Sequence, residues 1–205
     1  MELKDNNTQQ IILEAAEKEF IDKGFYGAKT TEIAKRAGVN HAMLHYYFRT
    51  KENLFNMVFQ EKIGIIAHSL NATFDNDISF FDQIKLIIET HFDFLSDNPK
   101  LLFFVYSEVI KNEDRRKILS ESILPRVNNL LIKLREAINE ETKKGTINTI
   151  DPVELLLNII SLNLMTFLAL PLLNTIDNQM PISLQEILRK RKESNVNFVI
   201  NALKV

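Results

Sequence analysis

A short segment near the N-terminus places hydrogen-bonding side chains on one side of a predicted helix. In a helical projection of residues 41–48, Leu44, Tyr47 and Phe48 form the apolar side. The opposite side consists of His41, Ala42, Met43, His45 and Tyr46. Its imidazole and phenol groups can form hydrogen bonds, and the small Ala42 lets the backbone approach a partner closely. Such a face suits the major groove of DNA, which admits one helix and displays base-edge donors and acceptors.

The residues before this helix predict a tight turn between two short helices. A first helix at residues 31–37, capped by Thr30, ends at Gly38, which can adopt the left-handed conformation that a tight turn requires. Val39 fills the angle between the helices, and Asn40 caps the second one. The free amides and the positive dipole end of the second helix then point outward. Two short helices joined in this way are typical of a helix-turn-helix motif.

Positive charge concentrates around the same motif, although the whole chain carries a net charge of −2. Residues 24–51 contain one acidic residue, Glu32, and five basic ones. The basic residues are Lys29, Lys35, Arg36, Arg49 and Lys51. A basic patch on an acidic protein is the electrostatic footprint of a polyanion-binding protein, but an ordinary solvated surface can look the same. The charge pattern alone leaves both interpretations open.

A metal site at His41 and His45 is the less favoured interpretation of the same helix. Their spacing of four residues could hold zinc, but that face carries no Asp, Glu or Cys as a further ligand. Groove contact explains both histidines, so the sequence predicts neither a metal nor another cofactor. The chain also lacks a Gly-rich phosphate loop, a nucleophile elbow and a metal-ligand sequence motif. We therefore expect a non-enzymatic protein.

The rest of the chain also predicts helices, without strand alternation, and we expect an all-α fold of about nine helices. The predicted helices span residues 8–23, 31–37, 41–48, 51–74, 80–96, 99–111, 114–144, 152–173 and 183–203. Pro125 is expected to kink or split the seventh helix, and residues 174–181 are expected to form a polar loop. The predicted domains are an N-terminal three-helix helix-turn-helix domain at residues 1–51 and a helical ligand-binding and dimerisation domain at residues 52–205.

Aromatic and polar residues of the second predicted domain could line a ligand cavity. The candidates are His91, Phe92, Phe103, Tyr106, Asn163 and Phe167. Simple packing explains most of the aromatic residues, and a histidine such as His91 is more often a core or rim residue than a ligand contact. Asn163 lies in a very apolar helix and needs a hydrogen-bond partner if it is buried. That partner could be a ligand, a backbone group or the other subunit.

The two last predicted helices are too apolar to be covered within one subunit. In residues 152–173 apolar side chains lie nearly all round the helix, and residues 183–203 carry an apolar stripe. Four such helices, two from each subunit, would form a bundle at a two-fold axis. The stretch at residues 155–173 could almost span a bilayer by length, but Asn158 and Asn163 favour a buried helix. We expect a homodimer without membrane association.

The helix-turn-helix segment resembles the N-terminal signature of the TetR family of bacterial transcriptional regulators. The matching residues are Thr30-Thr31, Ile33-Ala34, Ala37-Gly38-Val39-Asn40, Leu44-His45, Tyr47-Phe48 and Lys51-Glu52-Asn53-Leu54. The segment covers about a quarter of the chain, and the combined match is far more specific than a lone glycine motif. The length and helical character of the remainder are similar to the family without motif support.

The resemblance implies a role for each matching residue of the motif. Thr30, Thr31 and Lys51 would contact phosphates, which positions the protein on DNA. The residues facing the groove or its walls would be Asn40, His41, Ala42, Met43, His45 and Tyr46. Three positions depart from the family pattern, namely Asn40 in place of Ser, Ala42 in place of Gly and His45 in place of Tyr. Asn still caps a helix, and a phosphate contact from His45 would make DNA affinity sensitive to pH.

The sequence therefore predicts a cytoplasmic, homodimeric, ligand-responsive regulator that binds double-stranded DNA. Because most proteins that it resembles repress, we expect a repressor that a small, largely apolar effector releases from a near-palindromic operator. A DNA-binding protein that is constitutive or controlled by a protein partner is the alternative. The absence of cysteine and an N-terminus without the apolar core of a signal peptide suit the cytosol.

Overall fold

The computed structural model of the chain describes residues 2–105, 112–176 and 183–205. Every regular element in these ranges is helical, apart from an isolated bridge between Ile147 and Lys204. The α-helices are α1 (Glu2–Gly27), α2 (Thr30–Arg36), α3 (His41–Phe48), α4 (Lys51–Ala72), α5 (Phe80–Asp97), α6 (Pro99–Val105), α7 (Glu113–Lys144), α8 (Pro152–Leu168), α9 (Leu170–Ile176) and α10 (Leu184–Leu203). The prediction of an all-α fold is confirmed.

Contacts within the chain divide it into two compact units. The first unit comprises Met1–Gly64 and Phe103–Ile123, and the second comprises Ile65–Leu102 and Leu124–Val205. Helices α4, α6 and α7 each contribute residues to both units. The predicted domain boundary between residues 51 and 52 stays a prediction, because compact units and functional domains need not share their boundaries.

In the first unit, α1 packs on α2, and α2 packs on α3. Ile12, Ala16 and Phe20 repeat at four-residue spacing along α1 and are fully buried, as the inner face of an amphipathic helix should be. Phe20 contacts Phe55 of α4 edge to face, with ring centroids 5.2 Å apart. The short helices α2 and α3 are thereby built onto a core that α1 and α4 supply.

Helix α1 is longer than the sequence predicted, and its last part is interrupted. It begins at Glu2 and not at a cap on Thr8, because one capping residue does not stop a helix when the residues before it continue the helical turns. Gly24, the predicted stop, has φ 68° and ψ 173°, a conformation that is open mainly to glycine. Helical hydrogen bonding resumes after this interruption and ends at Gly27.

In the second unit, α5, α8 and α10 pack against one another. Their buried apolar residues form one cluster with residues from the C-terminal half of α7. Among its members are Ile84, Ile88, Leu134, Ile138, Leu155, Ile159 and Val199. A smaller cluster contains Phe92, Leu95 and Phe167, in which the two phenylalanine rings lie 4.8 Å apart.

Two helices of the second half of the chain differ from the prediction. Pro125 does not split α7, since a helix of 32 residues can lose one hydrogen bond and continue, and the alternative, a kink at Pro125, stays a prediction. The single helix predicted at 152–173 instead ends at Leu168, and α9 then covers part of the predicted polar loop. Pro171 lies in the first turn of α9, where its missing amide hydrogen costs nothing. The described residues therefore contain ten α-helices, and residues 177–181 of the predicted loop lie outside them.

The stretch Pro152–Leu173 is long and apolar enough to cross a membrane, judged by length and composition alone. Only 33% of that window is buried, and α8 leaves several large apolar side chains exposed. The core helix of a soluble protein passes the same test of length and composition as a membrane-spanning helix. The exposed apolar side is the feature that any account of this helix must explain.

Candidate nucleic-acid interface

The turn between α2 and α3 has the geometry of the predicted helix-turn-helix. Gly38 adopts φ 68°, and the Val39 amide donates a hydrogen bond to the Ala34 carbonyl oxygen at 3.0 Å. Asn40 caps α3, because its Oδ1 accepts a hydrogen bond from the Met43 amide at 2.8 Å. The prediction that Asn40 caps the second short helix is confirmed, and the cap fixes where that helix begins.

Thr30 is not the cap of α2 that the sequence predicted. The helix begins at Thr30 itself, and Lys29 occupies the cap position without a side-chain hydrogen bond to the helix. Thr30 Oγ1 instead lies 3.0 Å from Nε2 of His41, within hydrogen-bonding distance. The first residue of α2 therefore holds the imidazole at the first position of α3.

The outer side of α3 faces solvent. Leu44 and Phe48 are 2% and 0% exposed, whereas Met43 and Tyr46 are 40% and 76% exposed. Tyr47 is half-buried on the inner side. An open concave surface of about 590 Å³ is lined by His41, Ala42, His45, Tyr46 and Arg49. The structure thus brings together on one surface the side chains that the sequence placed on the outer face.

Arg49 also lies at this surface; the sequence identified it as part of the basic patch but not as a residue that contacts DNA. It follows α3 as the C-terminal cap with φ 57°, which is uncommon for a residue that carries a Cβ. Its exposed side chain borders the concave surface. The helical projection stopped at Phe48, and one further residue would have identified it.

One buried carboxylate anchors the basic residues behind the motif. Glu19 of α1 is fully buried and accepts hydrogen bonds from Lys23 at 2.7 Å and from Arg36 of α2 at 3.3 Å. This pairing fastens α2 to α1 and places Arg36 beside a negative charge. Other residues near the start and end of α2 stay exposed, namely Lys29, Thr31 and Lys35. Positive charge therefore remains at the surface next to α3.

The start of α4 presents Lys51, the residue expected to contact a phosphate. Thr50 caps this helix, because its Oγ1 accepts a hydrogen bond from the Asn53 amide at 3.1 Å. The Lys51 ammonium lies 4.7 Å from the centre of the Phe25 ring, a cation–π distance. Lys51 is half-buried and is thus held against α1.

The candidate ligand residues divide between the two compact units. The second unit contains His91, Phe92, Asn163 and Phe167. Phe103 belongs to the first unit, and its side chain is 41% exposed. Tyr106 lies outside the described residues. The assignment of all six residues to ligand binding stays a prediction.

Protein groups meet the hydrogen bonds of the fully buried Asn163. Its Nδ2 donates to the Ile88 carbonyl oxygen at 2.9 Å and to Nδ1 of His91 at 3.2 Å. Its Oδ1 accepts from Nδ2 of Asn195 at 2.9 Å. Asn195 was not predicted from the sequence; its own Oδ1 is buried and accepts no hydrogen bond from the described residues. Among the partners considered for Asn163, the structure provides a backbone group together with two side chains of the same chain.

Burial lowers the pKa of His91 from 6.5 to about 4, because the charged imidazolium would lose its hydration. The hydrogen bond from Asn163 requires an unprotonated Nδ1, which assigns the remaining proton to Nε2. The side chain is therefore neutral at ordinary pH, and both observations agree on this. In the described residues, no group of three or more His, Cys, Asp or Glu side chains is arranged to hold a metal ion.

Comparison with known proteins places this geometry in a family. The model of the bacterial regulatory proteins of the tetR family matches residues 12–58. An uncharacterized HTH-type transcriptional regulator of Bacillus subtilis (strain 168), YdgC, is 30% identical over 60% of this chain and 67% of its own length. The fatty acid metabolism regulator protein of the same organism is 26% identical over 69% of this chain. The chain spans 63% of that regulator's length.

The solved structures extend the likeness to the whole chain. The transcriptional regulator FadR of Bacillus subtilis, in complex with stearoyl-CoA, superposes with a TM-score of 0.70 over 94% of this chain and 98% of its own. At 20% identity this likeness shows a common fold. The class defined by fold and motif is a helical protein with an N-terminal helix-turn-helix. The chain belongs to the TetR family of bacterial regulatory proteins. Its relatives are named transcriptional regulators, a non-enzymatic role, which bears out that prediction.

Proposed function

We propose that the chain is a transcriptional regulator that inserts α3 into the major groove of DNA. The observation that carries this proposal is the exposed outer side of α3, opposite the buried Leu44 and Phe48 and beside a surface rich in basic residues. A groove that admits one helix accommodates such a side, and the names of the relatives support the same role. A DNA partner implies the compartment of the bacterial chromosome, so we also propose a cytoplasmic location.

The side chains of the motif would divide into two sets of contacts. Thr30, Thr31 and Lys51 would bind phosphates and fix the orientation of α3 without selecting sequence. The residues proposed to face bases or the groove walls are Asn40, His41, Ala42, Met43, His45 and Tyr46. Thr30 already holds His41 in the DNA-free structure, so it could also orient the leading side chain of α3.

Two copies would pair through α8 and α10. On one side of α8, Leu157, Met165 and Leu168 are 56%, 64% and 36% exposed. On α10, Phe198 is 64% exposed. An apolar stripe of this kind at helical spacing marks a protein interface. A two-fold dimer would hold its α3 helices for half-sites about 34–36 Å apart.

The proposed effector is a small, largely apolar molecule that binds in the helical body and releases DNA, which makes the protein a repressor. Phe92 and Phe167, which pack against each other in a buried cluster of the second unit, are the apolar contacts proposed for this effector. The FadR structure contains stearoyl-CoA, which carries a long apolar chain, and this supports the same ligand class. Ligand-driven release requires a lower ligand affinity in the DNA-bound state. The alternative is DNA binding that is constitutive or controlled by a protein partner.

Selection of binding sites from random duplex DNA tests the central proposal. A near-palindromic product is expected, and failure to enrich any sequence at low ionic strength would contradict it. Repeating the selection with apolar metabolite fractions distinguishes effector control from the alternative. Release of DNA by a fraction would support an effector, whereas unchanged binding with every fraction would favour the alternative.

Charge-matched substitutions test the proposed phosphate contact. Lys51→Ala should weaken binding to all DNA sequences alike. It should also reduce the slope of the log binding constant against log salt concentration by about one, the value for one phosphate contact. Lys85→Ala removes an exposed lysine from α5 and should leave affinity unchanged. Equal effects of the two substitutions would argue against a phosphate contact at Lys51.

Sedimentation tests the dimer. Phe198→Glu should shift the chain towards monomers, because it places a charge in an apolar interface. Ile132→Glu changes an equally exposed apolar residue on α7 and should leave the dimer intact. A dimer that withstands Phe198→Glu would contradict the proposed interface.

A further inference from the structure

We propose that Arg115, at the start of α7, is a positioning residue for the DNA-contacting end of α4. Its side chain is only 6% exposed although it carries a permanent charge. The guanidinium carbon lies 3.8 Å from the centre of the Phe25 ring and 4.8 Å from that of Phe55. Arg115 thus lies against the end of α1 and the first turns of α4. The proposal rests on the DNA contact proposed for Lys51.

The buried charge of Arg115 also has partners at the surface. Its Nη2 lies 3.8 Å from Oε1 of Glu52, and its guanidinium carbon lies 5.5 Å from the centre of the Tyr26 ring. Glu52 is the neighbour of Lys51 in the first turn of α4. Arg115 therefore contacts residues on both chain segments that border the proposed phosphate contact.

One aromatic ring connects Arg115 with Lys51. Phe25 lies 4.7 Å from the Lys51 ammonium and 3.8 Å from the Arg115 guanidinium. Phe20 and Phe55 also contact this ring, at centroid distances of 6.1 Å and 5.1 Å. Removal of the guanidinium would leave space beside the ring, because a planar group in van der Waals contact would be lost. The ring and the Lys51 ammonium could then leave the position that suits a phosphate.

A side-chain cap fixes the first turn of α7, and this holds the backbone of Arg115 in place. Oδ1 of Asn112 accepts a hydrogen bond from the Arg115 amide at 3.0 Å, which caps the helix. The same helix continues into the second unit, where Leu130, Leu134 and Ile138 belong to the core.

A double-mutant cycle on DNA binding tests the positioning role. Arg115→Gln should weaken DNA binding about tenfold and lower the salt slope as Lys51→Ala does. Lys51→Ala should then cause less than about a twofold further loss in the Arg115→Gln background. Arg115→Lys should retain part of the affinity, since it keeps the charge, and the exposed neighbour Arg116→Gln should bind as the unchanged protein does. An equal loss from Lys51→Ala in both backgrounds would overturn the proposal.

Amide hydrogen exchange of the DNA-free protein provides a measurement that does not need DNA. The Leu54 amide donates the first helical hydrogen bond of α4, to the Thr50 carbonyl oxygen at 3.1 Å. Arg115→Gln should accelerate exchange at Leu54 at least threefold or so, with no change at Ile88 in the core of the second unit. Unchanged exchange at Leu54 would overturn the positioning role. If the unchanged protein binds no DNA, the proposed function fails, and the exchange result still decides the role of Arg115.

Discussion

Two regions of this chain carry histidine and asparagine side chains and use them in opposite ways. On α3, His41 and His45 face solvent, and the imidazole of His41 lies within hydrogen-bonding distance of Thr30. Between α5, α8 and α10, His91, Asn163 and Asn195 are linked to one another within the core. Residue type is the same in both places. Hydrogen-bonding groups exposed on α3 are available to a partner, whereas those between α5, α8 and α10 are used to hold the helices together.

Removing the central amide of the core network should have the largest effect on stability. Asn163→Ala would leave the Ile88 carbonyl, His91 and Asn195 without their shared partner, and we expect the free energy of unfolding to fall by about 3 kcal/mol. Asn158→Ala, at an exposed position of the same helix, should change it by less than about 0.5 kcal/mol. Urea unfolding at one fixed protein concentration measures both. Similar losses in the two variants would contradict a structural role for the network.

The pH dependence of stability sharpens the same contrast. The folded pKa of His91 is about 4, below its unfolded value of about 6.5, so only the unfolded state gains a proton between these pH values. The free energy of unfolding should therefore fall by about 2.5 kcal/mol as pH decreases from 6.5 to 4, with only about 0.4 kcal/mol of further loss from this group at lower pH. His91→Gln can still accept the Asn163 hydrogen bond but does not titrate.

Unfolding curves at several pH values between 7 and 4 compare the variants. His91→Gln should flatten the dependence, whereas His68→Gln, which replaces an exposed histidine of α4, should retain the slope of the unchanged protein. If His91→Gln and the unchanged protein lose stability in parallel, other groups cause the dependence and the buried neutral state of His91 is wrong.

The two regions also differ in how far the sequence could predict them. The α3 face depends on local signals, since a cap at Asn40, a glycine at position 38 and a helical projection define it, and these predictions agree with the structure. The core network depends on contacts between residues 32 to 75 positions apart, such as Asn163 with Asn195 and with His91. Helical periodicity cannot supply such pairings, so the sequence left the partner of Asn163 open and missed Asn195. Arg115 was missed for the same reason.

Helix ends show the same limit on a smaller scale. The helix predicted at 152–173 begins where α8 does, at Pro152, and Asp151 caps it in the structure. Its end at Leu168 was not predicted, because apolar residues continue through the break and only Pro171 marks a new first turn. For α8, local chemistry marks where the helix begins, whereas its apolar sequence does not mark where it ends.

Substitution of His41, an exposed histidine of α3, should alter DNA sequence preference and leave the free energy of unfolding almost unchanged. His41→Ala is expected to reduce discrimination at one base position of each half-site by about tenfold, because a single base-edge contact is lost. The free energy of unfolding should change by less than about 0.5 kcal/mol, in contrast to Asn163→Ala. Binding-site selection with His68→Ala as the control measures the preference. An unaltered consensus sequence for His41→Ala would remove this residue from the proposed readout.

The smallest expected effect concerns the cap of α3, where a local structural role and a proposed functional role meet. Asn40→Ser keeps a side-chain oxygen for the Met43 amide and should leave the free energy of unfolding within about 0.3 kcal/mol, whereas Asn40→Ala should lower it by about 1 kcal/mol. DNA affinity should follow the same order, because a frayed first turn moves His41 away from its position beside Thr30. Thermal unfolding and DNA titration on the same preparations test this. If Asn40→Ala binds DNA as tightly as Asn40→Ser, the first turn of α3 does not need its cap to bind DNA.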